Sequence, residues 1–123
     1  MNKYCIMIVD DSSTNNILYE SILTDEGYDI IVSEDSKLAL NRIKKEIPDL
    51  LLLDLMMPGM DGFHFLQEKN IDKAIRNIPV VMVTANADKE SELRAYELGV
   101  KKFLVKPVGI LEIIHTVKEI LCK

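Results

Sequence analysis

Short apolar runs alternate with stretches of helical periodicity along the chain. Residues 4–9, 28–32, 50–53, 80–83 and 103–105 are apolar almost throughout. Runs that stay apolar instead of alternating suit strands buried on both faces of a parallel sheet. The intervening stretches carry apolar residues at helical spacing. Ser12 or Ser13 is placed to cap a first helix carrying Ile17, Leu18, Ser21 and Ile22, which Gly27 stops. Ala39, Leu40 and Ile43 mark a second helix, closed by Pro48, and Phe63 and Leu66 a third that opens near Asp61. Leu93, Tyr96 and Glu97 lie on a fourth, ended by Gly99. Ile110, Ile113, Ile114, Val117 and Leu121 form the clearest stripe, on the fifth.

The order is a strand followed by a helix, five times over. Right-handed crossovers put helices on both faces, which predicts an α/β fold: a doubly wound parallel five-stranded sheet in a three-layer α/β/α sandwich. The flavodoxin-like strand order 2-1-3-4-5 is the common arrangement for five such units. No repeat, low-complexity tract or Pro/Gly/Ser linker interrupts the pattern, so residues 1–123 read as a single domain.

Composition narrows the function classes. Hydrophobic residues make up 48% of the chain, enough for a packed core. No apolar run approaches the ~20 residues of a membrane helix, and nothing after Met1-Asn2-Lys3-Tyr4 resembles a cleavage site, so the N-terminus reads as a mature start. The two cysteines, Cys5 and Cys122, sit at opposite ends outside any zinc motif, as reduced thiols of a cytoplasmic protein would. A net charge of −5 disfavours nucleic-acid binding by this domain.

In an open parallel sheet, ligands bind beyond the carboxyl ends of the strands. The residues just past each apolar run are therefore informative: Asp10-Asp11 after the first, Asp54 after the third, Thr84 after the fourth and Lys106-Pro107 after the fifth. With the expected strand order, three carboxylates, a hydroxyl and an ammonium converge on one edge. Clustered carboxylates repel and need a counter-charge. Hard oxygen ligands suit Mg²⁺, which keeps waters and also takes phosphate oxygens. A carboxylate nucleophile beside a metal and a lysine is suited to phosphoryl transfer. Taken singly, Asp10-Asp11 reads as a helix cap, Thr84 as a turn residue and Lys106 as a solvated loop lysine. Asp54 is less ordinary, because it comes after four consecutive leucines, where an isolated carboxylate is costly.

These residues resemble the receiver domains of two-component response regulators. The resemblance is carried by Ile8-Val9-Asp10-Asp11-Ser12, by residues 52–62 from Leu52 through Asp54 and Pro58 to Gly62, by Val83-Thr84-Ala85, by residues 95–100 and by Phe103-Leu104-Val105-Lys106-Pro107. It implies that Asp54 accepts a phosphoryl group from a histidine kinase or histidine phosphotransfer protein. Asp10, Asp11, Asp54 and the backbone carbonyl of Met56 would hold Mg²⁺. Thr84 would hydrogen-bond a phosphoryl oxygen, and Lys106 would pair first with Asp54 and then with the phosphoryl group. The Lys106-Pro107 bond would be cis. Thr84 and Phe103 would form the switch, with fixed core the competing reading of Phe103. Helix 4, strand 5 and helix 5 would then be read by an output domain or effector protein, and the same surface could carry a homodimer. Met56 and Asn86 occupy positions that flank the path of hydrolytic water in the family, so the apolar bulk of Met56 is expected to slow loss of the phosphoryl group. The resemblance implies a signalling phosphoacceptor that assists its own phosphorylation, not an enzyme acting on an external substrate.

Three rivals share parts of this pattern. An aspartate-nucleophile phosphatase of the haloacid dehalogenase type would carry a DxD after strand 1, where this chain has Asp10-Asp11. A flavin mononucleotide module could cradle phosphate on Ser12, Ser13 and Thr14, but the two acids would repel it and no tryptophan is present to stack on a flavin. A degenerate receiver would not carry the full acid, threonine and lysine set. His64 and His115 have no catalytic companion, the Lys44-Lys45 and Lys101-Lys102 pairs read as solvated faces, and Met56, Met57 and Met60 read as packing.

Overall fold

A computed structural model describes residues 3–86 and 88–122. Met1, Asn2, Ala87 and Lys123 lie outside the described residues, and with them the reading of Met1-Asn2 as a mature start. The elements are β1 (Cys5–Val9), α1 (Ser13–Asp25), β2 (Asp29–Ser33), α2 (Ser36–Lys45), β3 (Leu50–Asp54), α3 (Gly62–Asn70), β4 (Val80–Thr84), α4 (Lys89–Glu97), β5 (Lys102–Val105) and α5 (Ile110–Leu121). The sheet is parallel, in the order β2-β1-β3-β4-β5. The fold expected from the apolar runs is the one observed.

The unbroken apolar runs are explained by the two faces of the sheet. Met7, Val9, Leu51, Leu53, Met82 and Phe103 pack in one layer with residues of α2, α3 and α4. Their neighbours Ile6, Ile8, Leu50, Leu52, Val81, Val83 and Leu104 pack in the other, with α1 and α5. Side chains alternate across the sheet, and both faces are covered, so every position must be apolar. Four helices begin with a side-chain cap: Ser12 accepts from the Asn15 N–H, and Asp35, Asp61 and Asp88 cap α2, α3 and α4. The cap of α1 is thus Ser12, and the acids before it are left free for other partners. Gly99, at φ +94°, closes α4 in a conformation that strains any residue with a Cβ.

The register of α1 differs from the apolar stripe. Ile17 and Leu18 are 68% and 45% exposed, and Ser21 is exposed too. The face turned to the sheet is Asn16, Tyr19 and Leu23, with Ile22 partly covered. Periodicity tracks the most apolar residues, and here two polar-tipped side chains occupy the core face. In α4 only Ala95 is buried, while Leu93 and Tyr96 point outward. In α5 Ile113 and Val117 are buried, but Ile110 is 55% exposed.

Candidate functional site

Strand order determines what meets at the carboxyl edge. Asp54 and Thr84 are the last residues of β3 and β4 and are paired into the sheet, so their positions are as fixed as the core. Asp10 comes directly after β1, and Lys106 directly after β5. Asp10, Asp54 and Thr84 are buried, while Asp11 is exposed. Carboxylate oxygens of Asp10, Asp11 and Asp54 lie within 4.8 Å of one another.

The two buried acids share one cation but have separate backbone donors. The Lys106 ammonium donates to Asp10 Oδ2 at 2.8 Å and to Asp54 Oδ2 at 3.3 Å. The Ser12 N–H donates to Asp10 Oδ1 at 2.9 Å, and the Met56 N–H to Asp54 Oδ1 at 3.2 Å. Burial, then the neighbouring Asp10 charge, pushes the Asp54 carboxyl up, and Lys106 and the Met56 N–H offset this only in part. Burial alone would lower the Lys106 ammonium, but its hydrogen bond to Asp10 and the two carboxylate charges outweigh that and raise it. Sequence resemblance pairs Lys106 with Asp54; in the structure it bridges both acids, with the shorter contact to Asp10.

Thr84 accepts a hydrogen bond at Oγ1 from the Asn86 N–H at 3.1 Å, and its carbonyl accepts from the Lys106 N–H at 2.8 Å. The Lys106-Pro107 peptide is cis, as expected. Phe103 is buried in the layer shared with α2, α3 and α4, and its N–H donates to the Tyr96 hydroxyl at 3.2 Å. Among the methionines after β3, Met57 is buried and Met60 partly so, but the Met56 side chain, two residues after Asp54, is 59% exposed, which corrects its reading as packing. His64 and His115 are both exposed.

Two residues at the site have no part assigned to them by sequence alone. Gly62 gives its N–H to the Leu55 carbonyl at 2.8 Å. A Cβ there would stand 2.8 Å from the Asp54 carbonyl oxygen and 2.9 Å from Leu55 Cα, so only glycine lets α3 approach the acceptor strand this closely. Asn16 donates from Nδ2 to the Asp10 carbonyl at 2.7 Å from within the core layer. A buried polar residue on the sheet-facing side of α1 is the signal, visible only once the register of α1 is known.

Three clustered carboxylates with no thiol or imidazole among them form a hard-oxygen donor set, chemistry that fits a divalent cation such as Mg²⁺. Together, fold and site are those of a CheY-like receiver domain. The chain belongs to the response regulator receiver domain family, whose model matches residues 6–118. Members serve two-component signal transduction, and phosphoacceptance is their general function. The chain is 40% identical over 103 residues to the response regulator PleD of Caulobacter vibrioides, covering 84% of this chain and 23% of that one. It is 31% identical over 116 residues to the phosphate regulon transcriptional regulatory protein PhoB of Escherichia coli, covering 94% and 51%. This chain therefore spans about half the length of such curated relatives, or less. Among solved structures, the Vibrio cholerae chemotaxis protein CheY4 superposes with a TM-score of 0.91 at 26% identity, over 98% of this chain and 100% of that one. A CheY-like receiver domain protein from Methanospirillum hungatei gives 0.89 at 27% identity, over 96% and 93%.

Proposed function

We propose that Asp54 is the phosphoacceptor of this domain, taking its phosphoryl group from the histidine of a kinase or phosphotransfer protein. The observation that carries this is the Lys106 ammonium bridging Asp10 and Asp54 on the sheet edge where Thr84 also ends. A carboxylate oxygen of Asp54 attacks phosphorus in line. The bond from phosphorus to the donor imidazole nitrogen breaks, and that nitrogen keeps the electron pair. Lys106 moves its charge from the carboxylate to the phosphoryl oxygens, and the Thr84 hydroxyl donates to one of them. Asp10, Asp11, Asp54 and the Met56 carbonyl would hold Mg²⁺, which would supply positive charge to offset the negative charge of the transferring group.

The switch uses the same parts. Thr84 moves toward the phosphoryl group, and Phe103, already buried on the neighbouring strand β5, shifts its ring into the space behind β4. The outer surface of α4, β5 and α5 shifts with it. Leu93, Tyr96, Val105 and Leu111 are exposed on these elements, an apolar surface for an output domain, an effector protein or a second copy of the chain. Residues 1–123 act as one receiver domain in the cytoplasm. The domain is consumed and regenerated as a phosphoacceptor and turns over no external substrate. The net charge of −5 disfavours direct binding of nucleic acid by this domain, and among the described residues no helix is long and apolar enough to cross a membrane.

Incubation with acetyl phosphate, followed by intact mass, tests the reading. A phosphoryl adduct that requires Mg²⁺ and is lost in Asp54→Ala is expected. No adduct on the wild-type chain from either acetyl phosphate or a phosphorylated histidine donor would overturn it.

A further inference from the structure

We propose that Asn16 is a positioning residue for the acid pair, holding the β1–α1 turn so that Asp10 and Asp11 are set for a divalent cation before it arrives. This rests on the phosphoacceptor reading above and extends it to a residue outside the acid, threonine and lysine set.

Asn16 is only 3% exposed and lies on the face of α1 that meets the sheet, one turn before Tyr19 and two before Leu23. The cluster on that side of the sheet is mostly aliphatic, with Ile6, Ile8, Leu50, Leu52 and Val83 from the strands and Leu23 from α1 beside Tyr19 and Tyr28. An aliphatic side chain would suit that layer on packing grounds alone. The carboxamide is instead half satisfied: Nδ2 donates to the Asp10 carbonyl at 2.7 Å, while the buried Oδ1 has no hydrogen-bond partner among the described residues. An unpaired buried acceptor costs stability, and the retained bond says what is gained in exchange.

That bond completes the restraint of Asp10. Oδ1 receives the Ser12 N–H, Oδ2 receives Lys106, and the carbonyl receives Asn16. The Asp10 N–H donates to the Ser33 carbonyl at 3.2 Å, on β2. Asn16 also donates its own N–H to the Ser12 carbonyl at 3.0 Å. One residue in α1 therefore grips the turn on both sides of Asp11. The Asp11 side chain is exposed and has no hydrogen bond or ion pair among those found in the described residues, so its direction is set by the backbone of residues 10–12. Groups that orient metal ligands without touching the metal commonly change affinity by about 10- to 100-fold when removed.

The variant Asn16→Leu is close in size and removes the donor. It exchanges one unpaired acceptor, Asn16 Oδ1, for another, the Asp10 carbonyl, so the unfolding midpoint should move little. Two readouts are taken on the full chain: the Mg²⁺ dissociation constant from an amide NMR titration, and hydrogen exchange of the Asp11 and Ser12 amides without metal. We expect the dissociation constant to rise by about tenfold or more, and the two amides to exchange faster in the variant. Leu23→Ala, buried on the same helix face, should lower the midpoint further yet leave the dissociation constant unchanged. Asn16→Ala serves in place of leucine if that variant does not fold. Wild-type affinity in an Asn16 variant, or an equal loss in Leu23→Ala, would overturn the proposal and leave the phosphoacceptor reading intact. If the wild-type chain binds no Mg²⁺, the phosphoacceptor reading fails first. Amide exchange then still decides whether Asn16 holds the turn, and unchanged exchange overturns that as well.

Discussion

Lys69 offers a quantitative test of the packing. It lies three residues after Leu66 on the buried face of α3 and is 2% exposed. Its ammonium donates to the Arg76 carbonyl at 3.0 Å and has no carboxylate within ion-pair distance among the described residues. Burial lowers it from 10.5 to about 8. At about 1.4 kcal/mol per unit, that shift corresponds to a cost of about 3 kcal/mol for keeping the charge inside at neutral pH. Lys69→Met removes the charge, keeps an adaptable apolar stem and forfeits a hydrogen bond of about 1.5 kcal/mol. Arg76 is exposed, so its carbonyl can turn to water. The net expectation is a gain of about 1–2 kcal/mol near pH 7. The sign with pH is set by a folded value below the unfolded one. Between about 8 and 10.5 the unfolded chain holds a proton that the folded chain has lost, so wild-type stability from this group rises with pH across that window. The advantage of the variant should therefore shrink above pH 8 and reverse at about pH 9.5, where the remaining charge cost falls below that of the lost hydrogen bond. Urea unfolding of both proteins at pH 7 and pH 10, at equal slope, reads this directly. A variant less stable at pH 7, or a difference that does not change with pH, would mean that burying the Lys69 charge carries no such cost.

Two further perturbations probe the acceptor strand. Gly62→Ala forces a Cβ against the Asp54 carbonyl at 2.8 Å, so urea unfolding should show a loss of about 1–3 kcal/mol, with slower phosphorylation. Gly109→Ala, where a Cβ meets nothing within 4 Å, should change stability by under about 1 kcal/mol; equal losses at the two sites would contradict the close-approach argument. Met56→Glu replaces an exposed apolar side chain two residues after Asp54, and decay of the phosphorylated form, tracked by intact mass, should become faster. An unchanged lifetime would count against Met56 as a screen on hydrolytic water.

The sheet and its edge were legible because each strand meets the same requirement. Leu50 to Leu53 must be apolar on both faces, and Asp54 then stands out where the run ends. Residues that act through helix register were hidden. Nothing in the spacing of Ile17 and Leu18 shows that Asn16 and Tyr19 face the sheet, because the exposed face of α1 is as apolar as the buried one. In α4 the expected stripe points outward, since Ala95 alone meets the core and the helix is tied elsewhere by the Tyr96 hydroxyl to β5 and by Asn70 to the Leu98 carbonyl. The split of the Lys106 ammonium between two acids depends on side-chain distances that no residue order encodes.

Chemical trapping reads directly whether Asp54 carries the phosphoryl group. Treating the phosphorylated chain with borohydride reduces an aspartyl phosphate to homoserine, and peptide mapping then locates it. Homoserine at position 54 alone, and only after incubation with phosphoryl donor and Mg²⁺, is the predicted result. Homoserine at position 10 or 11, or none from a chain that has demonstrably gained a phosphoryl group, would mean that Asp54 is not the acceptor.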